Sequence, residues 1–317
     1  MTAAFLDRLE RYDCLFLSPH ADDIAFSCPA RLSWEARRGQ RALVLALFES
    51  PDELSKGAAA VRQLGADFLA VGLDGESTEA SAAPRSVAYD HRPDDEERVV
   101  KAARLLADVE PRVRARQVYV PLGVGGHRDH RLTHAAALRA FASGEGRNVY
   151  LYEERPEAFV PGAVRVRLGL LGARLPPAAV EAPDRAGLTR YLWNVHVPPS
   201  LRGDVHGLYD RFRSSGGAAR EWRLSRAWNP QKAFGPRLQP VVHAADDLSG
   251  AAAKEALQLL LPADVRGRAR GLRRFEAMRS AYARRLRAAD HSERFWLLLP
   301  SQHGAQESAL ATAVGQD

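Results

Sequence analysis

The sequence is poor in cysteine and lacks a long apolar run, and each shortage argues against a class of protein. Two cysteines, Cys14 and Cys28, without a secretory signal indicate reduced thiols rather than a disulfide framework. The longest apolar run, residues 42–48, is far shorter than the ~20 residues that span a bilayer. Residues 1–13 carry charges throughout, which argues against a signal peptide. These features predict a cytoplasmic protein that makes no contact with a membrane.

Lysine is scarce as well, so the positive charge of the chain comes from arginine. Among 45 basic residues the lysines are Lys56, Lys101, Lys232 and Lys254. The net charge is +6 and the pI is about 9.6. Because arginine and alanine richness is typical of a GC-rich coding genome, this charge is weak evidence for nucleic-acid binding. We predict no nucleic-acid partner.

Strand and helix patterns alternate along the first half of the chain. Apolar runs predict strands at residues 14–17, 42–48, 68–71, 117–121 and 149–152, and helical patterns predict helices near residues 29–38, 56–64, 94–108 and 129–141. This alternation predicts an α/β fold with a Rossmann-like, doubly wound, mainly parallel sheet flanked by helices.

The pattern weakens after about residue 156. A strand is predicted at residues 164–171, and a long basic helix with an apolar seam is predicted at residues 265–289. We expect one catalytic domain over residues 1–300, with a core at about 12–155 and an irregular C-terminal extension at about 156–300 that shapes the substrate pocket. Residues 301–317 are expected to form a disordered tail.

Two polar segments follow predicted strands, about a hundred residues apart. Residues 18–23 (Ser-Pro-His-Ala-Asp-Asp) follow the first strand, and residues 125–130 (Gly-Gly-His-Arg-Asp-His) follow the fourth. Ligands bind at the carboxyl ends of the strands in such sheets, so both segments should meet at one edge. Zinc hydrolases use three histidine or carboxylate ligands and leave one position open for water. The two segments together offer enough groups for such a site.

The residue types in these segments divide into metal ligands and reacting groups. His20 and Asp23 are three residues apart in a turn that enters a helix, and His130 supplies a third ligand from the other segment. Asp22 is then free to act as the general base that activates a metal-bound water. His127 can face the substrate carbonyl and steady its oxyanion or protonate the leaving amine.

Three further residues have candidate roles near the site. Asp129 is placed either to cap its helix or to hydrogen-bond a histidine and hold its ring, and we count it among the catalytic residues. Glu49, just past the second strand, is a candidate contact to substrate hydroxyls. His134 lies one turn after His130 and is either a further ligand or a packing residue.

Two features elsewhere have simpler interpretations. The pair Asp246 and Asp247 is a candidate second carboxylate site, although a helix N-terminus explains it more simply. His196 is a candidate substrate contact or an ordinary surface or core residue.

The two segments also resemble the motifs of a known family. Residues 19–23 are similar to the His-Pro-Asp-Asp signature of the LmbE/PIG-L zinc deacetylases, and residues 126–130 to their second motif, His-x-Asp-His. The resemblance follows the order of elements over about residues 12–154. It implies zinc bound by His20, Asp23 and His130, with Asp22 as base and His127 as electrophile or acid. It also implies hydrolysis of an N-acetyl or related amide, often on an amino sugar, with another divalent metal as an alternative to zinc.

The chain departs from the family pattern at three positions. Ala21 replaces the proline between histidine and aspartate, which should relax the turn without removing a ligand. Ile24 stands where an acid often follows, and Gly125 stands where some members have a tyrosine. Residues 152–156 and 293–296 are similar to weaker family blocks.

Other functions stay open beside the deacetylase hypothesis. A zinc amidase acting on a non-sugar amide or a thiol conjugate would use the same residues. A serine hydrolase would need Ser18 as nucleophile, but the chain has no Gly-x-Ser-x-Gly elbow. A non-catalytic basic protein that binds nucleic acid or anions would show steeply salt-dependent DNA binding. The sequence leaves open the substrate and whether the chain forms a homo-oligomer.

Overall fold

A computed structural model describes residues 9–49, 56–73, 92–142, 146–179, 228–261 and 265–300. The strands are β1 (Cys14–Ser18), β2 (Ala42–Ala46), β3 (Asp67–Ala70), β4 (Gln117–Pro121), β5 (Asn148–Tyr152), β6 (Arg237–His243) and β7 (Glu293–Leu299). The helices are α1 (Asp23–Ser27), α2 (Pro29–Arg37), α3 (Lys56–Gln63), α4 (Asp95–Val113), α5 (Arg128–Phe141), α6 (Ala163–Leu170), α7 (Asp247–Leu260) and α8 (Val265–Leu286). The predicted tail and His196 lie outside the described residues.

The seven strands form one sheet in the order β3-β2-β1-β4-β5-β7-β6. Strands β1 to β5 run parallel, and β7 pairs antiparallel with both β5 and β6. The predicted mainly parallel, doubly wound sheet is therefore confirmed. From β1 the chain winds outward to β2 and β3 and then returns to β4 on the other side, so the strand order reverses between β1 and β4. Ligands bind in the crevice at such a reversal, at the carboxyl ends of the strands.

The central strands are apolar on both faces because helices cover both sides of the sheet. Leu15 and Leu17 of β1 belong to the core under α4 and α5. Phe16, between them, belongs to the opposite core under α1, α2 and α3, to which α7 also contributes. A strand buried on both faces is apolar at every position, which is why β1 is a short uninterrupted apolar run in the sequence.

The predicted strand at residues 164–171 is wrong, because this segment forms helix α6. Its valines and leucines alternate with arginines, which is the pattern of a strand. The helix is covered on most sides, with Val164, Val166 and Leu168 all buried. Its half-buried Arg167 donates from Nε to the carbonyl of Leu122 at 2.7 Å. Arg165 lies over the ring of Trp228, with its guanidinium carbon 5.2 Å from the ring centroid. Because both arginines are accommodated by such contacts at the edge of the packing, their spacing in the sequence does not indicate the backbone conformation.

Helix α4 extends past the residue 108 at which the sequence predicts its end, and includes Pro111. Proline is costly in a helix interior but it loses only one backbone donor here, close to the helix terminus. Val109 and Val113 are both buried in the core, and Arg114 still donates to the carbonyl of Glu110 at 2.8 Å. Packing of these valines thus stabilises the last turn.

The C-terminal part adds two strands that the sequence pattern did not reveal, β6 and β7. The helix start at Asp246 and Asp247 is confirmed: Asp246 is the N-cap of α7 and accepts from the backbone N–H of Ser249 at 2.7 Å. The long helix is confirmed as α8, whose seam includes the buried Tyr282 and the partly buried Phe275. No helix in the described part of the chain combines the length and apolar character needed to cross a bilayer.

Candidate metal centre and active site

The two polar segments meet at the crevice between β1 and β4. After β1 the backbone continues beside β2, where Leu47 and Phe48 donate to the carbonyls of Ser18 and Pro19, each at 2.9 Å. The turn then passes close to α3, and a Cβ atom at Gly57 would lie 2.5 Å from the carbonyl carbon of Ala21. Glycine at this position lets the helix approach the turn that carries His20 and Asp23.

His20, Asp23 and His130 form the only cluster of potential metal ligands among the described residues, and their ligand atoms lie within 4.8 Å of one another. Nδ1 of His20 is 3.3 Å from one oxygen of Asp23, and Nε2 of His130 is 3.5 Å from the other. Two imidazoles and one carboxylate are a donor set that suits zinc, and it leaves room for further ligands. These three residues could therefore hold a divalent metal ion.

Each of the two imidazoles also contacts a buried carboxylate through its second ring nitrogen. Oδ2 of Asp129 lies 3.1 Å from Nε2 of His20, and Oε1 of Glu154 lies 3.4 Å from Nδ1 of His130. Carboxylates in this position set the tautomer and orientation of ligand histidines. The contact of Asp129 thus crosses from one segment to the other and reaches His20 rather than its neighbour His127.

Glu154 is a site residue that sequence reasoning missed. It is 1% exposed and also accepts from the backbone N–H groups of Gly123 and Val124, at 2.5 and 3.0 Å. It therefore holds the start of the loop that leads to His130. Its position in the sequence could have revealed it, because Glu154 follows the predicted strand at residues 149–152 and therefore lies at the same edge of the sheet as the two segments.

The side chains of Asp22 and His127 lie beside the ligand cluster. Asp22 is the N-cap of α1, but its side chain makes no capping hydrogen bond, so its carboxylate does not serve the helix. The His127 ring centroid lies 5.7 Å from that of His20 and 5.4 Å from that of His130. The structure thus brings together all five residues of the two segments that the sequence singles out as ligands or reacting groups.

The adjacent aspartates Asp22 and Asp23 have opposite electrostatic environments. Burial, followed by the negative charge of Asp23, raises the pKa of Asp22 to about 6. Burial also opposes ionisation of Asp23, but the charge of His130 and the hydrogen bonds of His20 hold the pKa of Asp23 well below its usual range. Asp23 is thus suited to remain an ionised ligand, while Asp22 is suited to exchange a proton near neutral pH.

The histidines also differ from one another. Burial, followed by the charge of His130, lowers the pKa of His127 to about 4. Burial alone would lower the pKa of His130, but the charge of Asp23 and the hydrogen bond to Glu154 raise it to about 9. For His20, burial is likewise outweighed by hydrogen bonds to Asp129 and Asp23, which raise its pKa well above the ordinary value. His127 is thus the neutral imidazole of the site.

Glu49 and His134 lie around the cluster rather than in it. Oε2 of Glu49 accepts from the backbone N–H of Ala21 at 2.9 Å, so this carboxylate supports the turn between the ligands. Its contact to substrate hydroxyls stays a prediction. His134 is buried, and its Nδ1 lies 2.8 Å from the carbonyl oxygen of Pro121. It is absent from the ligand cluster, so its contacts favour the packing role.

Comparison with known proteins shows that the chain is similar to deacetylases. No family model matches the chain. The 2'-N-acetylparomamine deacetylase of Streptomyces fradiae is 33% identical over 202 residues, covering 55% of this chain and 69% of the relative.

Solved structures of deacetylases share the fold. A deacetylase–teicoplanin complex from the teicoplanin biosynthesis pathway aligns with a TM-score of 0.56 at 17% identity, covering 91% of this chain and 99% of that one. The A40926 pseudoaglycone deacetylase aligns with a TM-score of 0.52 at 17% identity, covering 92% of this chain and 98% of that one. Together with the curated relative and the two motifs at the sheet edge, these findings show that the chain belongs to the LmbE/PIG-L family of deacetylases.

Proposed function

We propose that the protein hydrolyses an N-acetyl or related acyl amide on a small molecule of the amino-sugar type, with a zinc ion held by His20, Asp23 and His130. The observation that carries the proposal is the convergence of these three ligands within 4.8 Å at the sheet edge. The curated relative supports the reaction, since its name describes removal of an acetyl group from a nitrogen atom.

Zinc is the preferred metal because of the donor set and its surroundings. Two imidazoles held by Asp129 and Glu154, and one ionised carboxylate, match the mixed nitrogen and oxygen ligands of hydrolytic zinc sites. When bound, the ion would lower the pKa of a coordinated water and polarise the amide carbonyl. Another divalent cation with the same ligand preference is the alternative.

The side chains of the chain itself would move the protons. Asp22 takes a proton from the attacking water as the new carbon–oxygen bond forms, a role that its raised pKa of about 6 suits. As a neutral imidazole, His127 donates a hydrogen bond to the oxygen that gains negative charge. As the carbon–nitrogen bond breaks, the amine takes up the proton that Asp22 received, which regenerates the base, and the carboxylic acid is released. Asp129 and Glu154 hold the ligand rings throughout.

The test is amine release by chelator-stripped and zinc-reloaded protein across a panel of N-acetyl amino sugars and non-sugar acetamides. We expect release from at least one amino sugar, its loss after chelation, and its return with one equivalent of zinc. Undiminished release by metal-free protein would contradict the zinc proposal. Release from the acetamides alone would favour the non-sugar amidase, and stronger restoration by another divalent ion would reassign the metal.

A further inference from the structure

The candidate active site is electronegative although the whole chain carries a net charge of +6. Several carboxylates lie in it or border it: Asp22, Asp23, Glu49, Asp129, Glu154 and Glu157. A bound divalent ion would offset only part of this charge. A field of this sign favours a substrate that carries positive charge.

Glu157 lies in the turn that follows β5, next to the loop that follows β4. A Cβ atom at Gly125 would lie 2.6 Å from Cγ of Glu157. Gly125 itself has a φ of 85°, a conformation that favours glycine. The side chain of Glu157 therefore packs directly on the backbone of the loop that presents His127 and His130, and only glycine leaves room for it there.

The carboxylate of Glu157 accepts a hydrogen bond from its own backbone N–H, but the other carboxylates of the site contact groups from elsewhere in the fold. Asp129 contacts His20, Glu154 contacts backbone N–H groups and His130, and Glu49 contacts the N–H of Ala21. Within the described ranges, no lysine, arginine or histidine forms an ion pair with Glu157. The half-buried carboxylate still lies close enough to the site to experience the charges of His130 and Asp23.

Burial without an ion-pair partner is unfavourable for a carboxylate, and burial raises the pKa of Glu157 although the charge of His130 opposes it. A cation brought by a ligand would relieve this cost. An ammonium group suits the position, because it makes charge-assisted hydrogen bonds that are stronger than those of a neutral hydroxyl.

We propose that Glu157 is a specificity-determining residue that binds a free ammonium group of the substrate. The substrate class is then an acylated amino sugar that carries at least one second, unacylated amine. This inference rests on the proposed deacetylase function and narrows it from amino sugars in general to polyamino sugars.

The test compares two substrates that differ in one group. Both carry the same N-acetyl sugar, and the neighbouring ring carries either an amine or a hydroxyl at the same position. Zinc-loaded wild-type protein is compared with Glu157→Gln, which keeps the size and removes the charge. Glu97→Gln is the matched control, because it removes one carboxylate from an exposed position of α4.

We expect the wild type to prefer the amine substrate in kcat/KM and Glu157→Gln to reduce this preference about tenfold or more, mainly through KM. Glu157→Gln should affect the hydroxyl substrate much less than the amine substrate, and Glu97→Gln should behave as the wild type with both. Equal use of both substrates by the wild type, an unchanged preference in Glu157→Gln, or an equal loss for both substrates would each overturn the proposal.

Calorimetry with the diamine product separates this proposal from the proposed reaction. If the wild type released amine from neither substrate, the proposed function would fail, and product binding would still decide the role of Glu157. We expect Glu157→Gln to weaken binding of the diamine about tenfold while its melting temperature stays at the wild-type value. Unchanged binding would refute the ammonium site.

Discussion

The two loops that build the site are held in place in different ways. The β1 loop, residues 18–23, is held by uncharged and short-range hydrogen bonds together with its neighbour β2. Oγ of Ser18 donates to the carbonyl of His20 at 2.5 Å, the N–H of His20 donates to Asp23 at 2.9 Å, and residues 47–49 that follow β2 bond its backbone. The β4 loop, residues 122–130, is held by distant charges. Its fully buried Arg128 forms ion pairs with Asp94 and Asp95 at 2.7 and 2.6 Å.

Because of this difference, we expect substitutions in the two loops to have different effects. In the β1 loop a ligand and the proposed base are neighbours, so substitutions there should act on the reaction itself. In the β4 loop the proposed ligand His130 contacts Glu154, which lies just after β5 and also holds the loop backbone. Substitutions among these supports should act on metal affinity and on stability together. Four predictions test this contrast.

The largest effect is expected for Asp23→Ala in the β1 loop. Asp23 lies between both ligand imidazoles, so its loss removes one of three ligands and leaves the two rings without their shared carboxylate. We expect the purified variant to hold no stoichiometric zinc and amine release to fall to the uncatalysed background. Metal analysis and a free-amine assay measure both, with the exposed Asp108→Ala as control. If the variant retained one zinc per chain, Asp23 would not be a zinc ligand and the prediction would be wrong.

Asp22→Asn is expected to keep the metal and to lower kcat by about 10²–10⁴, the usual contribution of a general base. The base must be deprotonated, so wild-type kcat/KM should fall as the pH drops through the pKa of Asp22. That pKa is about 6 without a bound cation. A cation would lower it, so the acid limb should lie at or below pH 6 and be absent from the variant. If Asp22→Asn loses zinc as Asp23→Ala does, the division of roles between the aspartates is wrong.

Asp129→Asn and Glu154→Gln should each weaken zinc binding about 10–100-fold, because each removes the carboxylate that orients a ligand imidazole. Only Glu154→Gln should also lower the free energy of unfolding of the metal-free protein, by about 1–3 kcal/mol, since both of its oxygens accept backbone N–H groups. Competition with a chelator and denaturant unfolding measure the two quantities. If both variants lowered the free energy of unfolding equally, the proposed difference between the two loops would be contradicted.

The smallest effect concerns His134, behind the β4 loop. Burial, followed by the charge of Arg167, lowers its pKa from 6.5 to about 3. Between these values the unfolded chain binds a proton that the folded protein does not, so the free energy of unfolding falls as the pH drops below 6.5. This contribution is up to about 1.4 kcal/mol per pH unit. His134→Gln should show a shallower pH dependence in denaturant unfolding of the metal-free protein, and identical slopes would contradict the assignment.

Much of the sheet could be predicted because buried parallel strands are short apolar runs separated by helices. The spacing of apolar residues gave a wrong prediction, or none, where it does not match the face of the element that is buried. Helix α6 looks like a strand because it alternates apolar residues with arginines. Strand β6 is a half-exposed edge strand that contains Pro240, and its burial follows no clean alternation. Neither segment contains a local signal strong enough to reveal the backbone conformation that packing selects.

The sequence by itself determined the candidate ligands and reacting groups, since they lie in two contiguous motifs whose internal spacing is short. Only the tertiary structure decided which groups support them. Asp129 contacts His20 across 109 positions of the chain, and Glu154 contacts His130 from the segment that follows β5. Glu157 reaches the site because a glycine in the β4 loop leaves space for it. Contacts of this kind depend on the order of strands in the sheet and on close packing between loops, and neither is encoded in a local pattern.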